Sequence, residues 1–359
     1  MSKQKHLYTV IISDHNLPNL LSVLAQKQRL DKKAPLTVFL IVTDYFTDNK
    51  TENKADNFEQ VLASIDNTIH IERLPTNGLD GESFQAVHNW IEKTLIPKTH
   101  EYHNAHCILN TTGGTKIMAM ELAKRIEWTE IHYKAFSQSQ IQCWDPKKES
   151  LVMELELPTV RPIDIVKLYD GQAKEKTITP IESYPDAVAI SQQIWDGYAQ
   201  SKNYNPIEVF KHQLDKIYSP IKKKEDYIEK WLEGLWLETL VFHWLTVDGH
   251  YKKHEIARNI QTKISPRELD FMIIRDGNLY TIEAKVAPAP NAKLNEIIRQ
   301  ITSINKLGKL NNSLFISPCF EQDIKTDNEK KDFFESCKNN GITVLRSKED
   351  LLKHFSRNT

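Results

Sequence analysis

The chain has 359 residues, 40% of them hydrophobic and 26% charged, and a formal net charge of −1. That length predicts two domains, and the near-neutral balance excludes a global basic field, so affinity for nucleic acid has to come from local patches. The four cysteines form no Cys-x-x-Cys pair, which argues against a disulfide framework or zinc ribbon. The apolar run Leu7 to Ile12 is too short for a signal peptide and no transmembrane stretch follows, so a cytoplasmic protein with no membrane partner is expected.

Leu7–Ile12 reads as a first strand, ending in Ser13-Asp14-His15-Asn16-Leu17-Pro18-Asn19 before a helix. Further strands are expected at 37–43, 69–74, 131–136 and 140–144, and helices at 53–67, 83–95 and 116–127, an α/β Rossmann-like layer structure. In such open sheets ligands bind at the carboxyl ends of strands, where the Ser13-Asp14 loop falls. A second loop has a stronger signal. His106-Cys-Ile-Leu-Asn110-Thr111-Thr112-Gly113-Gly114-Thr115-Lys116 runs from a buried strand through a glycine-rich turn into a helix. Backbone N–H groups at a helix N-terminus make an anion site, to which Thr111, Thr112 and Thr115 add hydroxyls and Lys116 a charge. The spacing is neither a P-loop nor a dinucleotide fingerprint, and a tight turn without a ligand would read the same way. His100, His103 and His106 recur every third residue, but they run into a buried strand and are not read as metal ligands.

Leu151–Leu157 is expected to be a strand. After it Pro158, Pro162, Pro180, Pro185, Pro206 and Pro220 punctuate polar sequence, so 158–222 is read as a connector, with short helices near 163–169 and 187–200. It separates an N-terminal domain, 1–157, from a C-terminal α/β domain, 223–359, near whose start stands Lys222-Lys-Lys224. Residues 226–245 have a helical period with Trp231, Leu235, Phe242 and Leu245 as the apolar stripe and Glu238 in its middle. A glutamate on a buried face needs a partner, and a backbone amide, an arginine or a metal would each serve. Gly234, one turn earlier, would let another backbone approach.

Two apolar runs then flank Asp276-Gly277-Asn278, a hairpin signal. Alternation puts Asp270, Met272 and Ile274 on one face of the first strand and Thr281, Glu283 and Lys285 on one face of the second. Acid-x-Lys also occurs at Asp31, Asp48, Glu52, Asp145 and Glu329, but there in charged, loop-like or helix-surface surroundings. Two carboxylates and a lysine on an apolar hairpin suit a divalent metal and phosphodiester hydrolysis, although a surface ion pair between Glu283 and Lys285 would show the same spacing. From Lys252 to Lys309 there are eleven basic residues and six acids, an excess that suits a nucleic-acid groove or a solvated face.

The helix with Glu238, the hairpin with Asp270, Glu283-Ala-Lys285, a helix with Arg299-Gln300 and the strand Ser313–Ser317 together resemble the restriction-endonuclease-like PD-(D/E)xK core. The resemblance implies that Asp270 and Glu283 bind Mg²⁺ or Mn²⁺, that Glu238 completes the site, and that Lys285 orients or deprotonates the attacking water. Gln300 matches a glutamine on the following helix of that family, while Glu-Leu-Asp270 replaces the Pro-Asp that names the motif. Residues 1–150, through Ser13-Asp14 and Asn110-Thr-Thr-Gly-Gly-Thr-Lys116, look like a CARF domain, the sensor of cyclic oligoadenylates in type III CRISPR defence. In this order the halves resemble the CARF-domain ancillary nucleases. That likeness implies a homodimer with one cyclic ligand, tetra-adenylate ahead of hexa-adenylate, on the two-fold axis. It also implies DNA, nicked or degraded as single strands, and single-stranded RNA as substrates. Two other readings stay open. One is a constitutive restriction or repair nuclease whose N-terminal domain only dimerises or targets it, and the other is a non-enzymatic sensor with a decayed nuclease domain.

Overall fold

In the computed structural model, the described residues are 4–31, 34–43, 50–76, 78–135, 138–176, 186–201, 204–217, 224–263, 268–286, 298, 312–318 and 328–355. The chain divides into two compact units, one of Met1–Val160, Asp164–Gly171 and Asp276–Asn278, the other of Arg161–Ile163, Gln172–Arg275 and Leu279–Thr359.

The first unit runs β1 (His6–Ile11), α1 (Leu17–Arg29), β2 (Leu36–Ile41), α2 (Lys50–Ile65), β3 (Ile69–Leu74), α3 (Phe84–Trp90), a π-helical turn Ile91–Leu95, α4 (Ile96–His100), β4 (His106–Asn110), α5 (Lys116–Arg125), β5 (Glu130–Tyr133), β6 (Gln140–Asp145) and β7 (Ser150–Glu156), after which the chain enters α6 (Pro162–Tyr169). Its sheet is ordered β3-β2-β1-β4-β5-β6-β7. The five strands from β3 to β5 are parallel, while β6 and β7 extend the sheet antiparallel. Parallel strands covered on both faces read as nearly unbroken apolar runs, as in β1, buried from Leu7 to Ile11. Helix α1 is buried at every position from Leu17 to Gln26, so it is enclosed rather than amphipathic. Chain direction along the sheet reverses beside β1, since β2 and β3 lie on one side and β4 and β5 on the other. The carboxyl ends of β1 and β4 therefore border the crevice where ligands of such sheets bind.

The helix expected to stop at Leu95 continues to His100, the π turn Ile91–Leu95 running directly into α4 with its Pro97. The three histidines are thereby dispersed: His100 ends α4, His103 sits in the following turn, and His106 opens β4.

The second unit runs β8 (Lys174–Glu175), α7 (Asp186–Gln200), α8 (Pro206–Ile217), α9 (Lys224–Lys230), a π turn Trp231–Leu235, α10 (Trp236–His243), a second π turn Trp244–Asp248, β9 (Ile256–Gln261), β10 (Leu269–Arg275), β11 (Asn278–Ala284), β12 (Ser313–Ile316), α11 (Asn328–Asn339), β13 (Ile342–Leu345) and α12 (Lys348–Phe355). Its sheet is ordered β13-β12-β11-β10-β9-β8, parallel from β11 to β13, with β9 antiparallel to both β10 and β8. The span read as a connector supplies two helices of this unit. Ala187, Ile190 and Ile194 of α7 and Phe210 and Leu214 of α8 join Trp231, Trp236, Leu240 and Trp244 in one core with Phe271, Ile273, Ile282 and Ile316 of the sheet. Trp195 meets Trp244 edge-on with ring centroids 5.0 Å apart, a favoured aromatic geometry.

The expected stripe on the Glu238 helix is only half right. Trp231 and Leu245 are buried, but Leu235 and Phe242 are partly exposed, and Trp236, Leu237, Leu240 and Val241 take the interior. The π turns explain this, because each adds a residue to the helical turn and rotates the face that follows it.

Between β10 and β11, Asp276 (φ 51°) and Gly277 (φ 72°) are both left-handed, the two-residue type I′ turn that matches strand twist. It sets Arg275 against Asn278, and five steps back along each strand it sets Asp270 against Glu283 on one face.

If α8 is integral to the second core, Leu214→Ala should cost about 2–5 kcal/mol while the exposed Val209→Ala stays within about 0.5 kcal/mol. Chemical unfolding of the full chain would check this, and equal effects of the two substitutions would show α8 to be peripheral.

Candidate functional site

Each unit places its polar residues at one end of its sheet. In the first, β1 and β4 pair in parallel with Val10 beside Asn110, so the loops that follow them are neighbours. The Ser13 N–H donates to Asn16 Oδ1 (3.0 Å), and Asn19 Nδ2 donates to the Ile11 carbonyl (2.9 Å), closing the loop after β1. Asn110 is fully buried. Its Oδ1 accepts from the Thr112 N–H (2.9 Å) and its Nδ2 donates to Asn19 Oδ1 (3.3 Å), so it builds the turn and ties the two loops together. At Gly113 a Cβ would lie 2.1 Å from the Ile11 carbonyl oxygen, and at Gly114 (φ +77°) it would lie 2.5 Å from Ile11 Cγ2. Both glycines are thus required by the close approach of the turn to the end of β1. Thr115 caps α5 by accepting from the Met118 N–H (3.2 Å) and donates to the Gly81 carbonyl. Lys116 and Gly114 are exposed, Thr111, Thr112 and Ser13 half-buried, and exposed Asp14 is paired with Lys54 of α2.

The sequence reading did not find what supports these loops. Strand β5 holds the second one: the His132 carbonyl accepts from both the N–H (3.0 Å) and the hydroxyl (3.2 Å) of Thr111, and the Lys134 N–H donates to Thr112 Oγ1 (2.9 Å). The His132 ring lies in a buried knot, with Nδ1 3.1 Å from the Tyr8 hydroxyl and Nε2 3.0 Å from Glu130 Oε2. Arg29 binds both oxygens of Glu130, at 2.7 and 3.0 Å, and His106 Nε2 stands 3.1 Å from Oε1. Burial works against the charged Glu130, but hydrogen bonds from His106, His132 and Arg29 outweigh it and hold the carboxyl far below its ordinary range. Burial pushes the neighbouring Cys143 thiol up to about 12. Donor atoms of Glu130, His132 and Cys143 lie within 4.8 Å of one another. Arg29 already neutralises the carboxylate there, so the knot stands as structural support. Polar residues inside buried elements were the available sign of it. Cys107, Cys143 and Cys337 are free thiols.

In the second unit, Asp270, Glu283 and Glu238 are buried, at 5%, 1% and 6% exposure. Asp270 Oδ2 accepts from the Ala284 N–H (2.8 Å) and from Lys285 Nζ (2.7 Å), while Lys285 Nζ lies 3.3 Å from Glu283 Oε2. Burial, and after it the charge of Asp270, raises Glu283 well above the usual carboxylate range against the pull of Lys285. For Lys285, burial acts to lower the pKa, but Asp270 and Glu283, with a contribution from Glu238, raise it above the ordinary lysine range. Glu238 thus belongs to the same electrostatic cluster, although it comes from α10. Three carboxylates face one ammonium, and the excess negative charge with oxygen donors is the chemistry a hard divalent cation requires. Gly234 is less crowded than expected: a Cβ there would meet only Val286 Cγ2, at 4.0 Å. Gln300 and its neighbour Arg299 lie outside the described residues.

The family model of the Card1 CARF domain matches residues 7–158, which takes in both loops of the first unit. No curated protein matches the chain. Among solved structures, Can2 from Sulfobacillus thermosulfidooxidans in complex with cyclic tetra-adenylate is 20% identical at a TM-score of 0.61, covering 98% of this chain and 97% of Can2. Protein VC1899 from Vibrio cholerae is 13% identical at a TM-score of 0.66, with the same coverage. A type III CRISPR defence DNA nuclease activated by cyclic oligoadenylate is 14% identical at 0.56, covering 88% of this chain and 46% of the nuclease. At these identities the structures establish a shared fold. Residues 7–158 are therefore a CARF domain of the Card1 type, and a second α/β domain follows it in the chain.

Proposed function

We propose that this protein is a cyclic-oligoadenylate-sensing effector of type III CRISPR defence whose second unit is a metal-dependent nuclease. One observation is central: Asp270 and Glu283 oppose each other across a hairpin, and one lysine bonds to both. Two buried carboxylates so placed repel each other, and a divalent cation answers that repulsion. Asp270 and Glu283, with Glu238, would hold Mg²⁺ or Mn²⁺, and Gln300 is assigned to the same centre from its family motif. The bound cation would polarise a phosphodiester oxygen and acidify an attacking water. Lys285 stays an ammonium beside the two carboxylates, so its part is to donate hydrogen bonds, orienting water and countering the charge that develops on phosphate.

The sensor reading rests on the CARF match together with the paired loops at the reversal of strand order. Ser13, Asp14, Thr111, Thr112, Gly114 and Lys116 would meet the ring, and Asn110, Gly113 and Thr115 would shape the pocket. Cyclic tetra-adenylate is the activator we assign, in line with its presence in the Can2 complex. A ring of equal units suits a two-fold site, so the active species is a homodimer. Gating needs the ring to favour the cleaving state over the resting one. DNA and single-stranded RNA are the substrate classes, and among the described residues no helix is long and apolar enough to cross a membrane.

Plasmid DNA, single-stranded DNA and single-stranded RNA, incubated with Mn²⁺, should be cut only when cyclic tetra-adenylate is added. Cleavage without any ring would favour a constitutive nuclease, and its absence under all conditions a sensor that has lost its enzyme. Asp270→Ala and Lys285→Ala should each abolish cleavage and leave ring binding by calorimetry unchanged; cleavage surviving in both removes the assigned centre. Thr112→Val and Lys116→Ala should raise the ring concentration for half-maximal activation about tenfold, the loss of one charge-assisted hydrogen bond.

Glu283 gives a pH test. Its folded-state pKa is raised, so its contribution to stability is present below the unfolded value and is lost as pH rises through the folded one. In the absence of metal, Glu283→Gln should therefore gain stability over the parent as pH rises, by about 1.4 kcal/mol per unit of elevation. The variant should also lose the Mn²⁺-induced rise in melting temperature. A parent–variant difference flat between pH 5 and about pH 9, a range spanning the raised carboxyl values known for buried glutamates, would contradict this.

A further inference from the structure

Among the described residues, four other than glycine have positive φ. Glu149, His250 and Asp276 lie in turns or loops, but Asn259 (φ 51°) lies inside strand β9. A left-handed residue within a strand is disfavoured, and such outliers persist where the surroundings over-determine them. Here they do. The Asn259 carbonyl accepts from the Lys176 N–H (3.0 Å) just past β8. Arg258 on one side is held over the rings of Phe242 and Phe271, at 4.4 and 5.4 Å, and Ile260 on the other side is fully buried.

The register gives the position its meaning. Leu269 pairs with Ile260 and Phe271 with Arg258, so Asn259 stands across from Asp270 with the regular pairing interrupted between them. Residue 259 is thereby the cross-strand neighbour of Asp270, whose side chain lies with Lys285 on the face opposite Phe271. Asn259 is half-buried, and among the described residues no hydrogen bond engages its carboxamide. Asparagine is the polar residue that best tolerates this conformation, and its amide offers N–H donors without adding charge to a centre crowded with carboxylates.

We infer that Asn259 is a substrate-contacting residue of the nuclease centre, its carboxamide donating to a phosphate oxygen of the nucleic-acid strand that lies against Asp270. The inference rests on the nuclease reading. Two substitutions separate side chain from backbone: Asn259→Gly keeps the left-handed conformation and removes the amide, and Asn259→Asp keeps both shape and conformation but sets a negative charge against the phosphate. With plasmid DNA, Mn²⁺ and cyclic tetra-adenylate, kcat/KM should fall about tenfold to a hundredfold in Asn259→Gly and further in Asn259→Asp. The melting temperature and its rise with Mn²⁺ should stay at parental values in Asn259→Gly. Parental cleavage by Asn259→Gly, or a loss that follows a lowered melting temperature or a lost Mn²⁺ response, overturns the inference. Failure of the parent itself to cleave removes the nuclease reading and this assignment with it.

Discussion

Two carboxylates set opposite each other across one strand pair, with a single ammonium between them, form the constraint on which the second unit depends. Like charges in direct cross-strand register repel, and burial removes the water that would screen them. The Asp270–Glu283 pair therefore persists only because the strands are prevented from slipping by one residue, which would move one of the two side chains to the other face. The left-handed Asp276-Gly277 turn fixes that register locally, and the tryptophan-rich core packed against the opposite face fixes it globally. Lys285 lies within bonding distance of both carboxylates and offsets part of their charge.

The first unit meets the same problem with the opposite outcome. Glu130 is buried too, but Arg29 binds both its oxygens and two histidines complete its shell. A fully satisfied buried network rigidifies its surroundings. In this unit rigidity is delivered to one place, since the carbonyl of His132 anchors Thr111 at the mouth of the crevice. One buried carboxylate thus helps to hold a loop still, while the other pair stands against a single lysine. This contrast fits a protein that recognises a ligand at one site and would cleave at another.

Within the sensor crevice the polar residues divide by burial into builders and contacts. Asn110, Asn19 and Thr115 spend their hydrogen bonds on the loops themselves. The residues left with exposed surface, such as Lys116 and Gly114, are few.

By itself the sequence determined the features that depend on neighbours along the chain. Alternation and the Asp-Gly turn placed Asp270, Glu283 and Lys285 on one face, because a two-residue hairpin leaves one register. The strand–Gly-Gly–helix pattern located the tight turn between β4 and α5 for a similar reason, since only glycine fits against Ile11. Only the tertiary structure decided what depends on distant partners. The π turns that rotate the face around Glu238, the packing of α7 and α8 into the second core, the Arg29–Glu130–His132 support and the left-handed Asn259 opposite Asp270 leave no periodic trace. They depend on which elements pack or pair in space, and spacing along a chain does not encode which of those groups will meet.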